Sequence, residues 1–316
     1  MNFRSFQQMT EIVRRNLSRV PVDIDLVVGI PRSGLVPASI IALHRNLMLT
    51  DVEGLLSGKG FEPGVRRDKP GLKTDPSSWR KVLLVDDSVM SGGTIRDVRA
   101  RIEAAHPQLE VVCCAIIGER PEHEHVDIVF DVCPRPRIFE WNFLHHEHLT
   151  KACVDIDGVL CMDPEADEND DGLRYEEFLC NARPYLVPTV PIGTIVSSRL
   201  EKYRDATEKW LAKHGIRYNS LELLDMESAE ERRRLKPYAE FKASVYQKHP
   251  DYVMFIESEI GQAGRIAEIT GRSVICVDEM RLIEEGKVEK LKRDLQKKKR
   301  GIRRRMSAVG GWLGLD

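Results

Sequence analysis

With 316 residues, 42% hydrophobic and 31% charged, and a formal net charge of −2, the chain is long enough for two domains with cores of their own and has the make-up of a soluble globular protein. Seven cysteines, an odd number with no C-x-x-C spacing, argue against a disulfide framework or a zinc site and for free thiols in a reducing compartment. The start, MNFRSFQQMTEIVRR, lacks the apolar region of a secretory signal, and no stretch approaches membrane-spanning length, so a cytoplasmic location is expected.

After this helix-like start, residues 25–47 read as a strand, a loop and a helix. Between Gly29 and Gly34 the loop combines small residues with Arg32 and Ser33, a composition that holds an anion through backbone donors and a guanidinium at the positive end of a helix. Residues 51–80 are polar and rich in Gly, Pro and cations, among them Arg66, Arg67 and Lys69; a connection this long in a compact domain is often a functional lid.

The stretch KVLLVDDSVMSGGT, residues 81–94, is the most informative of the first half. Residues 82–85 read as a buried parallel strand, Asp86 and Asp87 stand at its carboxyl end, and Ser91, Gly92, Gly93 and Thr94 open a helix. Adjacent carboxylates can accept hydrogen bonds from the vicinal hydroxyls of a ribose. Glycines let backbone N–H groups close around a phosphate that faces the positive end of the helix dipole. The pattern is that of a sugar-phosphate site. Apolar strands at residues 111–117 and 126–130 follow. In PRPRIFEWNFLHHEHL, residues 134–149, Ile138, Phe139 and Trp141 make either an acceptor platform, with Glu140 or Asn142 as polar contacts, or a packing cluster. His145, His146 and His148 have no partner spacing that supports a metal.

An acidic pair followed by Ser/Thr-Gly-x-Thr after an apolar strand resembles the binding loop of type I phosphoribosyltransferases, which use phosphoribosyl diphosphate (PRPP). The resemblance implies that residues 29–34 bind diphosphate and that cations of the 51–80 stretch close over it. It also implies that a segment near residues 134–149 forms a hood over the acceptor.

In the second half, KACVDIDGVLC places Asp155 and Asp157 after an apolar strand and before Gly158. This resembles the first motif of haloacid-dehalogenase-type (HAD) phosphatases, in which the first Asp attacks phosphorus and the second protonates the leaving oxygen and later activates water. Matching parts follow in order. Ser197, or else Ser198, ends the strand TIVSSR as a phosphate ligand, and Lys242, with Lys236 as its rival, neutralises the phosphoryl group. Glu257 and Glu259 stand where that family holds Mg²⁺ together with Asp155 and Asp157, glutamate replacing the commoner aspartate. Only 42 positions separate Asp155 from Ser197, too few for a sizeable cap domain, so an open mouth suited to a large phosphorylated molecule is expected.

Residues 287–305 hold eleven Lys or Arg against Glu289 and Asp294, with apolar residues at helical spacing. Such a tail suits docking on anionic lipid at the inner membrane face, or else a solvated or packed helix. Nothing in the chain resembles a nucleic-acid module.

The expectation is therefore an α/β protein of two Rossmann-like parallel-sheet domains: a type I phosphoribosyltransferase fold over residues 1–149, a capless HAD-like fold over residues 150–286, and a basic tail over residues 287–316. The pairing resembles the dual-domain ribofuranosyltransferases of bacterial polysaccharide biosynthesis. It implies Mg²⁺-dependent transfer of 5-phosphoribose from PRPP, in β linkage, to a glycan hydroxyl of a lipid-linked acceptor for a surface polysaccharide such as O antigen, followed by hydrolysis of the 5-phosphate. In that reading Asp87, or Asp86, is the transfer base. The alternatives are a nucleobase phosphoribosyltransferase joined to a nucleotidase, a PRPP-sensing regulator, and a scaffold in which only the phosphatase works. The sequence does not specify the oligomeric state.

Overall fold

The computed structural model describes residues 1–61, 71–169, 172–235 and 237–284. Arg66, Arg67, Lys69, Lys236 and the basic tail lie outside these described residues. The chain divides into two compact units, Asn2–Trp141 and Asn142–Asp316 with Met1. The division falls before the His-rich segment, where the sequence reading had set it after that segment. Among the described residues no helix is long and apolar enough to cross a membrane.

The N-terminal unit begins with a short strand β1 (Asn2–Arg4) and a helix α1 (Phe6–Asn16). Ser5 caps α1 in a reciprocal box with Gln8, and Met9 and Val13, one helical turn apart, are buried. Then come β2 (Leu26–Gly29), α2 (Leu35–Arg45), β3 (Met48–Asp51), α3 (Val52–Leu56), β4 (Lys81–Val89), α4 (Gly93–Ala105), β5 (Glu110–Gly118), β6 (Ile128–Val132) and β7 (Arg137–Phe139). Five strands form a parallel sheet in the order β3-β2-β4-β5-β6, and β1 pairs separately with β7, also in parallel.

Alternation along β4 explains why its sequence is apolar without a break. Leu83 and Val85 enter a core with Met9, Val13 and Ile41, whereas Val82 and Leu84 enter a second core with Leu55, Trp79 and Ile102. A strand covered on both faces has no solvent side to mark with polar residues.

The C-terminal unit contains β8 (Ala152–Val154), α5 (Leu173–Asn181), β9 (Ile192–Leu200), α6 (Arg204–Lys213), β10 (Tyr218–Leu224), α7 (Ala229–Leu235), α8 (Tyr238–Gln247), β11 (Met254–Glu257), α9 (Ile260–Thr270), β12 (Val274–Cys276) and β13 (Arg281–Ile283). Its sheet runs β10-β9-β8-β11-β12-β13 and is parallel except for the β12–β13 pair. The strand order reverses around β8, so the carboxyl ends of β8, β9 and β11 lie side by side, the usual position of a ligand crevice in such sheets.

Candidate functional site

In the N-terminal unit β4 does not stop at the acidic pair. Ser88 and Val89 still pair with Ile117 and Gly118, so Asp86 and Asp87 sit within the strand. Alternation buries Asp87, which is 5% exposed. Burial, and then the neighbouring Asp87 charge, push the Asp86 carboxyl up to about 8. The Asp87 backbone N–H donates to Asp86 Oδ1 at 2.9 Å.

Two loops converge on this pair. Residues 30–34 turn back so tightly that a Cβ on Gly34 would meet the Ile30 carbonyl oxygen at 2.6 Å and that of Val85 at 2.8 Å. Only glycine allows this approach. It lets Ser33 Oγ donate to Asp87 Oδ1 at 2.6 Å. Ser91, Gly92, Gly93 and Thr94 form the amino end of α4, with Gly92 as N-cap at φ 82°. Ser91 Oγ accepts from the Gly93 N–H at 3.4 Å. Two loops and a carboxylate pair are thus gathered toward the carboxyl end of the central strand, which suits a phosphorylated sugar.

In the segment after β6, Glu140 and Trp141 both have hydrogen-bond partners within the N-terminal unit. Glu140 Oε2 accepts from the Phe6 N–H at 2.7 Å, so this carboxylate serves the first turn of α1. Trp141 Nε1 donates to Asp87 Oδ2 at 2.8 Å.

In the C-terminal unit the expected residues meet at the carboxyl ends of β8, β9 and β11. Lys242, 2% exposed on α8, donates to Asp155 Oδ2 at 2.6 Å, Glu257 Oε2 at 2.7 Å and Gln262 Oε1 at 3.1 Å. Two buried carboxylates thereby share one ammonium, and their charges hold the Lys242 pKa above its ordinary value in spite of burial. Burial raises the Asp155 carboxyl; Lys242 opposes that rise, while Glu257 and Asp157 add to it.

Arg199, fully buried at the end of β9, grips Asp157: Nη2 donates to Oδ1 at 2.6 Å and Nε lies 3.1 Å from Oδ2. Against the effect of burial, this guanidinium holds the Asp157 carboxyl below its ordinary range. Sequence reasoning passed over Arg199 and Gln262. The signal for Arg199 was present, since a cation inside an apolar strand must find a buried anion.

A cleft of about 320 Å³ opens here, lined by Asp155, Asp157, Asp163, Tyr175, Ser198, Tyr238, Lys242, Glu259, Gln262 and Asp278 among others. Ser198 lines it. Ser197 is fully buried, its Oγ accepting from the Arg199 N–H at 3.3 Å. Glu259 caps α9, accepting from the N–H groups of Gly261 and Gln262 at 2.8 and 2.7 Å. Asp155 and Glu257 are therefore bound to Lys242, Asp157 to Arg199, and Glu259 to a helix end. Among the described residues no group of three or more His, Cys, Asp or Glu side chains is placed to hold a metal ion.

Residues 4–147 match the family described as phosphoribosyl transferase domain. Similar curated proteins include the xanthine-guanine phosphoribosyltransferase of Chromohalobacter salexigens, 37% identical over 84 residues, which are 27% of this chain and 50% of that protein. The protein of the same description from Roseobacter denitrificans is 35% identical over 86 residues, 25% of this chain and 49% of its own length. The chain spans about half the length of these curated relatives. Among solved structures, the xanthine-guanine-hypoxanthine phosphoribosyltransferase of Helicobacter pylori has 17% identity and a TM-score of 0.33, with 45% of this chain and 93% of that one covered.

The N-terminal unit is a type I phosphoribosyltransferase domain. The glycan-directed expectation is overturned: the similar proteins are named for xanthine and guanine, and neither ribofuranosyl transfer to a lipid-linked glycan nor a place in polysaccharide or O-antigen synthesis stands beside them. The physical reason is that an acidic pair and glycine-bearing loops suit a phosphorylated sugar and carry no information on what receives it.

Proposed function

We propose that the N-terminal unit transfers phosphoribose from PRPP to a nucleobase, and that the C-terminal unit hydrolyses the phosphomonoester so formed. The observation that carries the first half is the Asp86–Asp87 pair, bracketed by the Ser33 loop and the amino end of α4. Similarity to xanthine-guanine phosphoribosyltransferases supports a nucleobase as the acceptor.

In this reading the α4 end and Ser91 to Thr94 hold the 5-phosphate, Arg32 and the 30–34 turn hold diphosphate, and the acidic pair meets the ribose hydroxyls. A magnesium ion bound with PRPP would supply positive charge against its phosphates, and Asp86 and Asp87 are the residues that would hold it. These are adjacent hard-oxygen carboxylates, with Asp86 pushed up by burial and then by its neighbour's charge, and a divalent cation would relieve their repulsion. Removal of the proton from a nucleobase N–H falls to Asp86 or Asp87.

Transfer leaves the 5-phosphate on ribose, and the second cleft supplies what its removal needs. Asp155 is the nucleophile, Lys242 the cation that offsets phosphoryl charge, and Ser198 a phosphate ligand. Asp157 is the acid and base, and it must part from Arg199 before it carries a proton.

The test offers PRPP and Mg²⁺ with xanthine, guanine, hypoxanthine or orotate to the native protein and to Asp155→Asn, followed by ³¹P NMR and mass analysis. Nucleoside and free phosphate are expected from the native protein, and nucleoside monophosphate from the variant. PRPP left intact with every base would sink the transfer reading. Monophosphate that persists with the native protein would sink the hydrolytic half.

A further inference from the structure

Asp87 is held from two sides, and the second side was not expected. Ser33 Oγ donates to one carboxylate oxygen at 2.6 Å, and the Trp141 indole N–H donates to the other at 2.8 Å. Each oxygen keeps a further lone pair for a ribose hydroxyl. The two donors therefore fix the plane of the carboxylate without filling its acceptor capacity.

The indole is itself fixed. Trp141 stacks on Phe139 with ring centroids 4.8 Å apart and planes 10° apart, and Phe6 lies 5.3 Å away at 39°. Arg137 places its guanidinium 5.4 Å from the Phe139 ring. Cation and rings thus follow one another as Arg137, Phe139, Trp141 and Phe6.

Both ends of this series are held by hydrogen bonds. Arg137 donates to the Val89 carbonyl at 2.8 Å and to that of Cys133 at 3.1 Å, and Val89 is the last residue of the strand that carries Asp87. At the other end the Phe6 N–H donates to Glu140. The parallel pairing of β1 with β7 sets the spacing between the ends.

We propose that Trp141 is a positioning residue for Asp87 rather than an acceptor platform, and that the ring series from Arg137 to Phe6 holds its indole N–H on the carboxylate. The proposal rests on the phosphoribosyl reading of the N-terminal unit. Its chemistry is that of a hydrogen bond to a buried charged group, where loss of one donor weakens ligand binding by about tenfold or more.

The experiment is calorimetric titration of PRPP with Mg²⁺ into the full chain without any acceptor. It compares the native protein, Trp141→Phe, Asp87→Asn and the double variant, with ¹H–¹⁵N spectra of the tryptophan indole groups. Trp141→Phe keeps a ring in the stack and removes only the donor, so it should melt close to the native protein while binding PRPP about tenfold more weakly. In an Asp87→Asn background the same change should add little, because the indole acts through Asp87. The indole resonance that vanishes in Trp141→Phe should be the one that moves in Asp87→Asn and on PRPP addition.

Native-like affinity in a folded Trp141→Phe protein would overturn the proposal. So would equal losses in the native and Asp87→Asn backgrounds. No binding of PRPP by the native protein is a different failure, and it would overturn the phosphoribosyl reading itself.

Discussion

Asp86 and Asp87, side by side and largely removed from water, set a charge problem that the free protein solves by keeping a proton. Asp86 is pushed up to about 8 by burial and by its neighbour, whereas in the unfolded chain it titrates near 4. A carboxyl whose folded pKa is raised stabilises the fold fully below its unfolded value and loses that contribution as pH rises to its folded value. The native protein is therefore expected to lose stability between about pH 4 and pH 8 at this residue. Asp86→Asn lacks that loss, so its melting temperature relative to the native protein should climb across the window and level off above about pH 8. Thermal melts at unit pH steps check this, and a difference that is flat with pH would refute it.

At the scale of elements, the turn between β2 and α2 matters more than its composition shows. Gly34 stands where a single methyl group would strike two carbonyl oxygens, one of them on β4 beside the acidic pair. Gly34→Ala should push the turn off the strand, separate Ser33 from Asp87, and weaken PRPP binding at least tenfold in calorimetric titration. Unchanged affinity would show that the close approach is incidental. The apolar strands and the loops at their ends were legible in the sequence, because a strand buried on both faces and a glycine-bearing turn each leave a local pattern. The extent of β4 was not. Ser88 and Val89 look like loop, and only the partners Ile117 and Gly118 make them strand. Acceptor platform and packing cluster both stayed open for the segment of Glu140 and Trp141, because nothing nearby in the sequence reveals their partners, which are the N–H of Phe6 and the carboxylate of Asp87. In the second unit Asp155 and Lys242 were legible from motif order, but the choice between Ser197 and Ser198 depends on which face of β9 meets the cleft.

For the whole molecule, each of the two sites is built from side chains of a single unit. The two proposed activities are accordingly expected to fail separately. Asp87→Asn should abolish nucleotide formation from PRPP and leave hydrolysis of added nucleoside monophosphate at the native rate. Asp155→Asn should do the reverse, and rate assays on both reactions decide it; a variant that removes both activities would contradict the separation. The pairing of β1 with β7 has a further consequence for how the protein comes into being on the ribosome. Asn2 pairs with Arg137, and the Phe6 N–H waits for Glu140, 134 positions later. Residues 2–6 are thus without their partners until the last strand of their own unit has emerged. Residues 2–6 stay unpaired while the 134 positions from Phe6 to Glu140 are made, a long interval in which a chaperone or peptidase meets them before β1 can pair.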